Sequence, residues 1–224
     1  SLACNVAQSH WNFPAKWMYY HLLDADWASN ALSWQWVAGT NSNKKYIANQ
    51  DNINKYCHTK QSNTFLDISY DDFDTLKIPK ELLDTDFYLL KTPLPEKEFI
   101  KIDEKKPTYI YNFYNLDPLW DQEICANRIL LLEPSHFNEY PISLNSMNFM
   151  LEFSKNNIDN IQLYVGEFND FILDHAPSEV NYKEHPLNSH YSGIKVPRDF
   201  IFDVKGYYPS FFSYWKKCKK ELIY

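Results

Sequence analysis

A chain of 224 residues, 45% hydrophobic and 17% aromatic, is long enough for one large domain or two small ones of about 100–200 residues and too rich in core-forming side chains for long disorder. The net charge of −7 is uneven: residues 1–60 hold five lysines against three aspartates, residues 61–124 hold seven lysines against fourteen acids, and residues 125–224 hold ten bases against twelve acids. No apolar run approaches the ~18 residues of a membrane span, the four cysteines form no C-x-x-C pair, and neither glycine-rich phosphate motif occurs; these features argue against a membrane-embedded protein, a disulfide framework, a structural zinc site and a phosphate-loop enzyme.

The first segment reads as two helices around a tight corner. Asn12 is a candidate cap and Pro14 a first-turn proline for a helix reaching about Leu23, with Trp17, Tyr20 and Asp24 on one side. Asp26 is a good N-cap for a second helix, Trp27 to about Ala38, and Gly39 supplies its left-handed stop. Asp26, Asn30 and Trp34 then form a column at i, i+4, i+8. Thr40 to about Asn63 is a polar loop with a short helical turn near Asn52 to Tyr56, and residues 64–106, with Pro79, Pro93 and Pro95, read as an extended acidic connector with one short helix at Pro79 to Leu83 and few core contacts.

The last part changes character. Thr108 to Tyr114 alternates as a strand, Asn127 to Glu133 is a buried-strand pattern, Ser143 to Asn156 has helical periodicity, and Ile161 to Gly166 is another strand. Strand, helix, strand at this spacing is a βαβ unit with parallel pairing. Pro209 to Leu222 is expected as an aromatic C-terminal helix with lysines in its last turns.

Trp11 to Trp36 holds five of the seven tryptophans. Core packing is the ordinary reading of such helices. The polarity of the Asp26–Asn30–Trp34 column instead asks for a ligand with hydrogen-bonding edges and a flat aromatic surface, which a flavin provides. Elsewhere, Asn112, Asn115, Trp120 and the run Glu133 to Phe137 lie at strand ends, where open sheets bind ligands. His185 and His190 flank Pro186, which forbids the i, i+4 helical pairing of zincins and favours structural or surface roles.

The run Asp24-Ala25-Asp26-Trp-Ala-Ser-Asn30-Ala-Leu-Ser-Trp34-Gln-Trp36-Val-Ala-Gly-Thr40 closely resembles the FAD-binding signature of the DNA photolyase and cryptochrome family, with Ala25 where that family has glycine. The resemblance covers roughly residues 1–58. It implies that Asp24, Ala25 and Asp26 lie against the flavin and its ribityl chain, that Asn30 faces the redox-active ring nitrogen, and that Trp34 and Trp11 are the proximal and middle members of an electron-transfer chain. It implies FAD as cofactor and UV-damaged DNA as partner, with Trp36, Lys44, Lys45 and Tyr46 on the nucleic-acid side, and leaves open whether a second, antenna chromophore binds.

The expected architecture is therefore α plus α/β: residues 1–63 the C-terminal part of a helical FAD-binding domain, 64–106 the connector, and 107–224 a small α/β domain. The opening Ser-Leu-Ala-Cys-Asn lacks an initiator Met and a secretory signal. A chain beginning inside a longer protein, with the remainder of the flavin domain upstream, is expected, in a reducing cytoplasmic setting and away from membranes. The function expected is light-driven electron transfer from reduced FAD that splits pyrimidine dimers. A cryptochrome-type receptor without repair activity and a non-enzymatic interaction module are the alternatives.

Overall fold

The computed structural model describes residues 1–41, 45–86, 88–198 and 200–223. The chain opens on a π-helical turn at Leu2–Val6, followed by α1 (Asn12–His21), α2 (Trp27–Ala38) and α3 (Gln50–Cys57). Local chemistry explains the second of these best. The Asp26 carboxylate accepts from the backbone N–H groups of Ala28 and Ser29 at 2.8 and 3.2 Å, and Gly39 closes the helix at φ 74°. Helix α1 departs from expectation at both ends: Trp11, not Asn12, is the N-cap, and Leu22 is already extended, so the helix stops at His21. Helix α3 is longer than the expected turn because Asn49 caps it through the N–H of Asn52.

Five strands follow: β1 (Thr108–Tyr111), β2 (Asn127–Leu132), β3 (Ile161–Val165), β4 (Val180–Lys183) and β5 (Ile194–Val196). They form one sheet in the order β3-β2-β1-β4-β5, with every pairing parallel. The expected βαβ unit is present as β2, α5 (Leu144–Asn157) and β3, preceded by the short α4 (Pro134–Glu139); α6 (Phe168–His175) leads to β4, and α7 (Phe211–Cys218) closes the described chain. The molecule is a mixed α/β protein. Strand β1 is shorter than the expected Thr108 to Tyr114 because the chain turns at once: the backbones of Asn112 and Asn115 exchange hydrogen bonds of 3.2 and 3.0 Å, and the Asn112 side chain accepts from the N–H of Tyr114. Helix α7 is likewise shorter than Pro209 to Leu222, starting at the capping box of Ser210 and Ser213.

A parallel sheet is buried on both faces, and successive strand residues here divide between them. Tyr109, Tyr111, Leu130 and Leu132 join one core with Phe137 of α4, Met147 and Met150 of α5, Tyr19 of α1 and Ala25 of the α1–α2 turn. Ile110, Ile129, Leu131 and Tyr182 join the other with Phe168 and Phe171 of α6. Complete burial of each Leu or Ile is worth about 1.5–3 kcal/mol. The connector contributes more than its composition suggests. Ile100 belongs to the second core, the Thr92 hydroxyl accepts from the N–H of Ile142 at 2.8 Å, and the side-chain amide of Gln162 pairs with both backbone groups of Lys101.

The turn into β5 depends on Gly193, at φ 128°, where an added Cβ would stand 2.4 Å from the Val180 carbonyl oxygen. Gly193→Ala is expected to cost about 1–3 kcal/mol through backbone strain, read from the urea midpoint at constant m-value. A wild-type midpoint would contradict this account of the turn.

Candidate functional site

The α1–α2 corner assembles part of the expected flavin-binding set. Asp24 is exposed and Asn30 and Trp34 are half-buried on α2, while Asp26 spends one carboxylate oxygen on the helix cap. Among the described residues no protein group hydrogen-bonds the Asn30 side chain. Ala25 takes no positive φ, so the methyl that replaces glycine is unstrained; it is buried in the first core rather than presented outward. Trp11 caps α1 with its ring 5.8 Å from that of His10. Trp36 is exposed and packs on Tyr46 at 4.4 Å between ring centroids, and Lys45 pairs with Asp74 at 3.0 Å. Lys44 lies outside the described residues.

The corner is joined to the sheet by specific bonds. The carbonyls of Tyr20 and Leu22 accept from the Ser143 N–H at 2.8 Å and the Ser146 hydroxyl at 3.3 Å, at the start of α5. The Tyr19 and Tyr114 hydroxyls lie 2.9 Å apart, and burial raises the pKa of both phenols. Tyr114 in turn stacks on His185, with centroids 4.1 Å apart and planes 10° from parallel.

These contacts end at the C-terminal edge of β1, β2 and β4. Here Glu133 is buried; its Oε1 accepts from the Phe168 N–H at 3.0 Å and lies 2.8 Å from His190 Nε2, while Oε2 accepts from the Tyr191 hydroxyl at 2.8 Å. His136 stands nearby with a buried, unpartnered Nε2, and burial together with His185 and His190 pushes its pKa down to about 4. His185 and His190 serve separate partners, since His185 Nδ1 accepts from the Leu187 N–H. Trp120, expected near a strand end, is buried against Tyr109 and Tyr111 beside Arg128.

Comparison with known proteins adds one finding: residues 1–67 match the FAD binding domain of DNA photolyase. The match covers less than a third of the chain and stops before the sheet begins. No curated protein and no solved structure matches the chain.

FAD is the cofactor of the matched segment. The residues present fit it in part. Asn30 offers an amide with no partner among the described residues beside a half-buried indole, and Asp24 and the second oxygen of Asp26 offer acceptors for flavin or ribityl hydrogen-bond donors. Ala25 contributes packing behind that face.

The groups that link the matched segment to the sheet leave no mark in the sequence. Tyr19, Tyr114 and Ser143 carry no motif, and only the parallel strand order brings them together. Arg128 was equally hidden. It is buried, yet its guanidinium is satisfied by the Tyr111 hydroxyl and by backbone carbonyls of Trp120, Asp121 and Ile124 rather than by a carboxylate.

His136 makes stability pH-dependent. Its folded pKa of about 4 lies below the usual 6.5, so the unfolded chain binds the extra proton and stability falls as pH drops from about 6.5 toward about 4. His136→Leu is expected to flatten the fall in unfolding free energy across that window, measured by urea titration at several pH values. An unchanged slope would contradict the burial assigned to this imidazole.

Proposed function

We propose that the protein is a light-dependent DNA photolyase acting on pyrimidine dimers in UV-damaged DNA. The observation that carries the reading is the composite motif from Asp24 to Thr40 laid on a helix capped by Asp26 and ended by Gly39, inside the segment that matches the photolyase FAD binding domain. When bound and reduced, FAD supplies the light-driven electron for ring splitting. The chain's own residues position and tune: Asn30 hydrogen-bonds the flavin edge, Asp24 and Asp26 hold it, and Trp34 with Trp11 carries electrons inward for its reduction. Trp36 and Tyr46 form an exposed aromatic pair for an unstacked base, with Lys45 beside them for the backbone.

In this reading residues 1–63 belong to the helical flavin domain, 64–106 connect, and 107–224 form the α/β domain. The four cysteines are free and fit a reducing cytoplasm. No helix among the described residues is long and apolar enough to cross a membrane. A cryptochrome-type receptor is the second reading. It is favoured by the net charge of −7 and by the engagement of Lys45 with Asp74, both of which weaken the attraction for a polyanion.

Two measurements test the proposal. Trp34→Phe in the intact protein is expected to slow photoreduction per bound FAD at least about tenfold while flavin content stays near wild type; equal rates would remove Trp34 from the electron path. Affinity for dimer-containing DNA is expected to fall steeply between about 50 and 200 mM salt. Absence of repair and of lesion binding at low salt would favour the receptor.

A further inference from the structure

The strand order β3-β2-β1-β4-β5 reverses direction of winding between β1 and β4, and open parallel sheets bind ligands outside the carboxyl ends of the strands at such a point. A cavity of about 370 Å³ lies there, lined among others by Tyr114, Asn115, Lys183, His185, Asn188 and Arg198. That volume suits a nucleoside-sized molecule.

The chemistry of the lining narrows the class. Four charged groups are already paired across it: Lys183 with Asp117 at 2.7 Å and Arg198 with Glu184 at 3.6 Å. The cavity therefore holds no uncompensated charge with which to capture a bare anion. Its unmet demand is for acceptors. Asn115 is 9% exposed and its Nδ2 has no partner, a debt that native proteins rarely leave unsettled. His185 accepts the Leu187 N–H at Nδ1, which fixes the proton of its neutral ring on Nε2 as a second donor, and burial lowers its pKa. The same imidazole is flat against Tyr114, which immobilises it as a stacking platform.

We propose that this crevice binds a nucleoside or nucleotide whose carbonyl-bearing base stacks on His185 and accepts a hydrogen bond from Asn115 Nδ2, while the in-plane Nε2–H of His185 donates to a sugar hydroxyl. Arg198, half exposed and 3.6 Å from Glu184, exchanges that carboxylate for a phosphate only once the base has brought one to the rim. The base can come from a free nucleotide or from a single strand of DNA. The inference does not depend on the flavin reading, because it uses only residues of the sheet and its loops.

The test is calorimetric titration of the intact protein with uridine, uridine 5′-monophosphate, inorganic phosphate and an oligo-dT octamer, repeated with Asn115→Asp and His185→Leu. Asn115→Asp keeps the shape and replaces the donor by an acceptor. Binding of uridine or its monophosphate, weakened at least about tenfold by either substitution, supports a free nucleotide, and tenfold corresponds to about 1.4 kcal/mol. Binding of the octamer alone with the same losses supports a strand base. The proposal is overturned if neither probe binds, if both variants bind as wild type, or if inorganic phosphate binds as well as the monophosphate. Should Asn115→Asp fail to fold, as judged by circular dichroism, His185→Leu decides.

Discussion

A parallel sheet must be covered on both faces, and this constraint organises the molecule. One face is closed by α6 and Ile100. The other is closed by α4 and α5 and also by Tyr19 and Ala25, which come from the segment that matches the photolyase FAD binding domain. That segment is thus part of the sheet's cover. Its last-turn carbonyls are satisfied by Ser143 and Ser146 at the head of α5, so separating the two would expose apolar surface and strand polar groups together.

Tyr114 extends the connection to the sheet's ligand edge. Its hydroxyl meets that of Tyr19, its ring lies on His185, and Asp26, the cap of α2, contributes to the electrostatic surroundings of both Tyr114 and His185. The corner that carries the flavin motif and the crevice at β1 and β4 are neighbours through one phenol. Around them Glu133 fixes the loop after β4 by holding His190 and Tyr191 while accepting the first N–H of α6.

What could be read from the sequence was local. Helix α2 was legible to the residue because Asp26 and Gly39 act within one turn of its ends, and β2 was legible because a strand buried on both faces is a continuous apolar run. Strands β4 and β5 were not. Val180 to Lys183 mixes apolar, amide, phenol and ammonium groups, and its place is set by β1, some seventy residues earlier in the chain. The same distance hid the crevice, since Asn115 and His185 meet only through that pairing. The FAD motif was legible as a pattern, whereas the inward burial of Ala25 reflects packing against α5 and the sheet that no spacing rule encodes.

Native-state hydrogen exchange of the intact protein tests most directly whether the N-terminal helical segment and the sheet share one core. The amides of Tyr19 and Leu22 in and just after α1 are expected to open with free energies close to those of Ile129 to Leu131 in β2, because their exposure requires loss of the same packing. Exchange of the α1 amides by a much cheaper opening, with β2 still protected, would contradict the account.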